Sequence, residues 1–418
     1  MDFIQYLNSM LSRKINFDFR WLVIFVSILF FSLILYINNY CGGYQIALKN
    51  FGILSVPYFV DLRILLCGIE AMRIGFDPYE YICFGGIAYY NYPRSWYLFT
   101  YFPFMKLENL FFIGFSLIGF FYCSIIFFIG KITFRDSLIY ILVLCSPAVL
   151  LGLERGNSDL IVFIFCLVAT SKNFRFNFIL ITLVTLLKIY PLGAILSFIN
   201  KDVKAKYLLR YLLSFAILII IYVFYNYNDL LTVSIKTPRP FWEHSYGLAA
   251  LPLMVFKYIG YYKTLIFMIF IGLNLIFSVL MFRKLWIYVN GLPISQSSHG
   301  QSYLVGSAIF VVSFLIGSNW EYRLVFLILT IPQLLIWFRL RQALLSKIVL
   351  FLLLITFWQS AISNKLIEFH FIYYPIISAI FHLLLFNLFL LIIVVNIVRY
   401  IKENFEGNVS IKSVFNIS

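Results

Sequence analysis

The chain is 418 residues long, 63% hydrophobic and only 12% charged, with a mean hydropathy of +0.95. A soluble domain is about 45–50% apolar and about 25% charged, so these proportions exclude a water-soluble globule, a disordered chain and a nucleic-acid-binding protein. The formal net charge of +15 is then a question of where the charges fall along one integral membrane domain, residues 1–418.

The first apolar run, from Trp21 to about Tyr40, follows Arg13, Lys14 and Arg20. It is long enough to cross about 30 Å of hydrocarbon, and no small-residue cleavage site follows it. It reads as an uncleaved helix with its N-terminus in the cytoplasm. Residues 41–108 form the longest connection, a first outer loop. Further spans are expected near 110–130, 137–153, 158–171, 176–189, 191–200, 209–227, 263–282, 303–318, 323–338, 348–363 and 376–398. The expected architecture is an all-α polytopic membrane protein with about twelve (10–13) transmembrane helices. The runs at 158–171, 176–189 and 191–200 are shorter than a standard span and read as broken segments. Irregular backbone at membrane depth survives only where it lines a cavity or is packed in protein. The region 246–262 has room for one more short helix, and the polar stretch Gly291–Ser302 reads as an inner loop.

Charge tests this topology. Of the 32 basic residues, 19 fall in the inner segments, against six of the 17 acidic ones. A Lys/Arg excess marks the cytoplasmic side, which places both termini inside; the expected location is the cell (inner or plasma) membrane. Six Cys are scattered without a C-x-x-C pair, so neither a metal site nor a redox motif is supported.

Within the first outer loop, Ser55-Val56-Pro57 looks like a helix start. Tyr58, Leu62, Leu65, Leu66, Ile69 and Met72 then recur at helical spacing, with Arg63 and Glu70 opposite. That pattern predicts an amphipathic helix along the outer membrane surface. Asp61 falls on the flank of the apolar stripe, either as a carboxylate facing the bundle or as a solvated helix-start charge. Gly75 can end the helix and Asp77-Pro78 can turn the chain. Tyr79 to Trp96 is rich in Tyr and Gly and reads as an aromatic loop suited to sugar stacking or to the interface.

Four polar knots interrupt apolar helices on the outer side. They are Glu154-Arg155-Gly156-Asn157-Ser158-Asp159, Lys188-Ile189-Tyr190-Pro191, Lys236 to His244, and Asn319-Trp320-Glu321-Tyr322-Arg323. Ionisable groups at such depth pair with one another or line a substrate path. Lys188 stands out because the preceding run is almost wholly apolar. Arg155 and Arg323 each have a carboxylate close by in sequence, so a local salt bridge is the competing reading. Three cations on one side suggest a pocket for an anionic headgroup, with Arg gripping phosphate bidentately and Lys acting as a point charge.

Together these segments resemble the GT-C superfamily of membrane glycosyltransferases. The early Asp61 followed by Gly75-Phe76-Asp77-Pro78-Tyr79 is similar to that superfamily's first outer loop. Glu154-Arg155-Gly156-Asn157 resembles the R-G-Q/N segment of glycosyltransferase family 87. Leu187-Lys188-Ile189-Tyr190-Pro191-Leu192 is similar to its L-K-x-Y-P-L segment, and Tyr322-Arg323-Leu324 also fits. The resemblance implies a GT-C-like bundle. It implies transfer of a hexose, often mannose, from a polyprenyl-phosphate donor to a glycolipid or glycan acceptor on the outer face, with inversion. It implies Asp61 as base and Lys188, Arg323 and Arg155 as phosphate ligands. Tyr190, Glu154, Asn157, His244, Asp77, Tyr79 and Glu321 are the expected pocket residues. No cofactor or metal is implied, with a divalent cation at Asp77 as a lesser expectation. The alternatives are a flippase or transporter of lipid-linked saccharide, or a polysaccharide polymerase.

Overall fold

The computed structural model describes residues 18–40, 58–83, 88–170, 174–199, 205–238, 244–250, single positions between 269 and 280, 298–339, 343–368 and 374–405. The expected helix start at Ser55-Val56-Pro57, nearly all of the span 263–282, most of 246–262 and positions 291–297 of the polar loop lie outside the described residues.

Helix α1 (Arg20–Tyr40) is followed by α2 (Val60–Arg73), the short antiparallel pair β1 (Ile82–Cys83) and β2 (Ala88–Tyr89), and α3 (Leu110–Ile129). Next come α4 (Phe134–Leu144) and α5 (Pro147–Glu154), which meet at 56°. The bend has a local cause. Pro147 cannot donate an N–H to the preceding helix, and the Ser146 hydroxyl starts α5 by accepting from the Val149 N–H. Then follow α6 (Asp159–Val168), α7 (Phe174–Leu187), a 3-10 helix at Tyr190–Phe198, α8 (Ala205–Tyr225) and α9 (Tyr227–Lys236). Strand β3 (Ser245–Tyr246) pairs across α10 (Ser298–Ile316) with β4 (Asn319–Trp320). A second 3-10 helix, Glu321–Thr330, leads into α11 (Ile331–Arg339), and α12 (Ala343–Phe357), α13 (Gln359–Glu368) and α14 (Tyr374–Phe405) complete the order.

Among the described residues, six helices are long and apolar enough to cross a membrane, or up to eight if each bent pair is one span. The expected twelve are not confirmed by this count, which leaves out nearly all of the span 263–282. The runs 158–171, 176–189 and 191–200 fold as pieces of 10, 14 and nine residues, below the length of a crossing helix. The windows Ser298–Ile316 and Glu321–Arg339 are 72% and 83% buried, against 11% for Lys206–Tyr225. Helix α10 and the segment after β4 are therefore the centre of an all-α membrane bundle, and α8 is its apolar rim. Helix α10 begins at Ser298, so the last residues of the expected polar loop are helical.

Helix α2 departs from expectation. Eleven of its 14 residues are buried, so it is not a helix lying on a membrane with one wet face. The aromatic loop wraps it instead. The Arg73 guanidinium donates to the carbonyls of Thr100, Met105 and Phe102, and Glu70 accepts from the Leu107 N–H. The rings of Tyr79, Tyr90, Tyr92, Trp96 and Phe99 follow one another at centroid separations of 5.0–5.8 Å. Gly75, at φ +83°, sits in the turn after α2, and the Asp77 carboxylate accepts from the Tyr79 N–H in the turn that follows. Cys67, on α2, is disulfide-bonded, which the scattered cysteine spacing did not suggest.

Candidate functional site

The site is assembled by helix ends meeting helix ends. Helix α5 stops at Glu154 because Gly156 takes φ +57°. The Asn157 N–H then donates to the Gly152 carbonyl and the Gly156 N–H to the Leu153 carbonyl, the two bonds of a Schellman ending. The carbonyls of Glu154 and Arg155 point outward and are taken up by α2. The Phe59 N–H donates to Glu154, and the Asp61 and Leu62 N–H groups donate to Arg155. The unpaired acceptors of one helix thus satisfy the unpaired donors of the other. Phe59 holds left-handed backbone angles (φ 56°, ψ 37°) to make the junction, a conformation that costs a bulky residue energy.

Helix α7 is ended in a comparable way. Its last carbonyls receive the Ser95 hydroxyl and the Tyr222 hydroxyl at Leu186, and the Trp96 indole N–H at Leu187. The chain then breaks at Lys188 before the 3-10 helix, which aims the Lys188 ammonium inward.

These junctions place five ionisable side chains together. Arg155 grips Asp61 bidentately, Nε to Oδ2 at 2.9 Å and Nη2 to Oδ1 at 2.6 Å. The Asn157 amide donates to Asp61 Oδ2 at 2.5 Å. Its oxygen accepts from the Asp159 N–H at 2.8 Å and from Lys188 Nζ at 3.4 Å. Lys188 forms an ion pair with Asp159 Oδ1. Arg323 Nε lies 3.7 Å from Asp159 Oδ2, and its guanidinium also donates to the Asn319 amide oxygen. Aromatic faces back all three cations: Trp320 at 5.5 Å from Arg155, Tyr92 at 5.6 Å from Lys188, and Tyr190 at 4.8 Å from Arg323. Burial pulls the Lys188 ammonium below its ordinary pKa, while the Asp159 charge opposes that pull. Burial also works against the Arg155 charge, but the charge and hydrogen bonds of Asp61 outweigh it and hold the guanidinium above its ordinary value.

A cavity of about 310 Å³ opens onto this cluster. Of the residues singled out in the sequence, Asp61, Arg155, Asn157, Lys188, Tyr190 and Arg323 line it. Glu154, Glu321 and His244 are buried but do not line it. His244 Nδ1 and Glu321 Oε1 are 2.6 Å apart. Asp77 and Tyr79 also lie off the cavity. Asp77 pairs with Arg94 at 3.2 Å, and the Tyr79 hydroxyl donates to the Tyr92 carbonyl at 3.0 Å. The reading of Asp61 as a solvated helix-start charge does not hold, because Asp61 is 7% exposed.

Sequence reasoning took Tyr92 only as part of the aromatic loop and Tyr322 only as a neighbour of Arg323, and assigned no role to Asp159, to Trp320 or to the α9 wall of Leu230, Val233 and Ser234, all of which belong to the cavity or its support. Asp159 was visible as the second acid of its polar knot. The α9 wall had no such signal, because an apolar face does not declare which cavity it closes. The arrangement can take an anion on one wall and an apolar chain against the other. Comparison with protein-family models, curated proteins and solved structures finds no match to this chain.

Proposed function

We propose that the protein is an inverting membrane glycosyltransferase of GT-C type, acting at the outer face of the cell membrane. It moves a hexose, mannose by the resemblance, from a polyprenyl-phosphate donor to a glycolipid or glycan acceptor. The observation that carries this reading is one cavity lined by Asp61, Arg155, Lys188 and Arg323, residues drawn from four separate parts of the chain.

In the reaction the acceptor hydroxyl attacks the anomeric carbon and gives its proton to Asp61. The bond between that carbon and the phosphate oxygen breaks, and the lipid phosphate leaves with one more negative charge. Preorganised cations lower such a barrier when they face the position where charge develops, the place given to Lys188 and Arg323. A general base has to be free to take a proton, whereas Asp61 is held by Arg155 and Asn157. The donor phosphate competes for the Arg155 fork, since guanidinium binds carboxylate and phosphate with the same bidentate geometry. Donor binding therefore releases the base.

The test is sugar transfer by the purified full-length protein in lipid vesicles. Synthetic polyprenyl-phosphate mannose, glucose and arabinose are offered in turn to membrane-lipid acceptors. A new glycosidic product with one donor supports the reading. Passage of labelled donor across the bilayer with no bond formed would replace it with a transporter.

A further inference from the structure

Among the described residues, two of the three cations that line the cavity share one carboxylate, and that carboxylate stands behind them. Asp159 is 1% exposed and does not line the cavity. Its Oδ1 holds Lys188, and its Oδ2 faces Arg323 Nε at 3.7 Å. Asp159 is itself fixed as the first residue of α6, where its N–H donates to the Asn157 amide oxygen. A carboxylate in the first turn of a helix is further favoured by the helix dipole. Arg155 and Asp61 are paired in the free protein and both line the cavity, so their charges cancel whether or not the donor takes the Arg155 fork. Lys188 and Arg323 thus bring two positive charges to the cavity, and Asp159 offsets one of them.

We infer that Asp159 is a positioning residue that sets the charge the cavity accepts. It aims Lys188 and Arg323 at one headgroup and leaves the pair one net positive charge. That surplus matches a singly charged phosphodiester better than a doubly charged phosphomonoester. The inference rests on the reading that a lipid phosphate docks on these cations. By that balance the phosphodiester donor is matched on entry, and the released lipid phosphate, with about 1.5 to 2 charges near neutral pH, is matched only while Asp61 holds the acceptor's proton and is overcharged once that proton leaves. Glu154 and Glu321 are also buried, but it is Asp159 that both Lys188 and Arg323 meet, and Glu321 is held against His244.

The experiment uses the full-length protein in nanodiscs at pH 8. The probes are farnesyl phosphate, a monoester, and farnesyl methyl phosphate, the diester with the same chain. The quantity read is the ratio of their dissociation constants. Asp159→Asn should move the ratio toward the monoester by about tenfold, the size expected for one charge roughly 6 Å away at intermediate dielectric. Asp159→Glu keeps the charge and should stay within about twofold of the wild-type ratio.

A second comparison reads the same charge without depending on the folding of Asp159→Asn. Lys188→Gln leaves Asp159 facing Arg323 alone, and the double variant Asp159→Asn with Lys188→Gln is charge-balanced against the wild-type protein. The double variant should favour the monoester about tenfold more than Lys188→Gln does. An unchanged ratio in both comparisons, with both probes still bound, overturns the inference and leaves the phosphate reading standing. If neither probe binds the wild-type protein, the phosphate reading itself falls and the inference falls with it.

Discussion

Asp61 and Asp136 each meet an arginine from a distant part of the chain, 94 and 203 residues away. They stand at opposite ends of the bent pair α4–α5, since Asp136 lies in the first turn of α4 and Arg155 directly follows α5. Their surroundings differ. The Asp136 carboxylate accepts from the Thr133 N–H while the Thr133 hydroxyl accepts from the Asp136 N–H, a capping box. Its arginine, Arg339, has a side chain 56% exposed. Capping the start of α4 and pairing with Arg339 account for Asp136. Asp61 also sits in a first turn, but the leading N–H groups of α2 are already satisfied by the Glu154 and Arg155 carbonyls. Its carboxylate is not needed to start a helix. The Asp61 and Arg155 side chains are 9% and 12% exposed, and both face a cavity. A polar group whose bonds are explained by local structure is weak evidence for function; one left over after local structure is satisfied is stronger evidence.

The sharpest way to break this contrast is to neutralise each acid. Asp61→Asn keeps an acceptor for Arg155 but removes the base, and transfer is expected to fall by about 10³-fold, within the range of lost general-base catalysis. Asp136→Asn should leave transfer per folded molecule unchanged. Initial rates in vesicles, normalised to the folded fraction seen by size-exclusion chromatography, make the comparison. Equal rates for the two variants would remove Asp61 from the chemistry.

The second comparison is between the arginines, read by thermal unfolding in detergent. Arg155→Ala leaves a buried carboxylate without its counter-ion, and breaking a buried pair from one side costs about 3–5 kcal/mol. Arg339→Ala removes a mostly exposed partner, and such pairs contribute about 1 kcal/mol or less. The two carboxylates are equally buried, with side chains 9% and 8% exposed, so similar losses in both variants would mean that the stranded carboxylate, and not the exposure of its arginine, sets the cost.

How far the sequence reached follows the same division. Apolar runs with charged ends located α1, α3 and α8 to within four residues, because a lipid-exposed helix must be apolar along its length; the start of α10 and the end of α14 were missed by five and seven residues. The number of crossings was not legible. Whether 158–171 or 176–189 is a full span depends on where Gly156, Lys188 and Pro191 break the chain, and those residues are as compatible with a loop as with a half-crossing piece. Within the site, Asp61, Arg155, Lys188 and Arg323 were conspicuous because a charge among apolar residues is costly and needs a reason. Their pairing was not legible. Sequence proximity favoured Glu154 as the partner of Arg155 and Glu321 as the partner of Arg323. The structure instead pairs Arg155 with Asp61 and brings Arg323 to Asp159, because Gly156 and the break after Trp320 turn the neighbours aside. Asp77 and Tyr79 belong to the wrapping loop for a related reason: the tyrosine-rich sequence fits a sugar platform and a packed cover equally well.

A smaller effect is expected where backbone holds the site together. An alanine at Gly156 would need φ +57°, and its Cβ would lie 3.0 Å from the Leu62 Cβ and 3.1 Å from the Phe59 ring. The conformation alone costs about 1–2 kcal/mol. Relief of the contact pushes α2, and Asp61 with it, away from Arg155. Gly130, between α3 and α4, has φ +63° and nothing within 4 Å of its would-be Cβ, so Gly130→Ala carries the strain without the displacement. Both variants should melt earlier, Gly130→Ala because φ 63°, ψ −162° is a region that only glycine adopts readily. Only Gly156→Ala should also lose transfer, by about tenfold, as expected when a reacting group is moved by a fraction of an ångström.

The mildest test returns to Asp136. Thr133→Ala deletes the hydroxyl that accepts from the Asp136 N–H at 3.3 Å and leaves a first-turn donor of α4 unmatched. Loss of a helix cap of this kind costs about 1 kcal/mol, so the melting temperature should drop slightly while the transfer rate of the folded protein stays at the wild-type level. The reciprocal bond, from the Thr133 N–H to Asp136 Oδ2, survives the substitution, as does the Arg339 pair, which keeps the loss small. A transfer defect approaching that of Asp61→Asn would mean that the two ends of α4–α5 are coupled, and that the Asp136 end cannot be treated as scaffold alone.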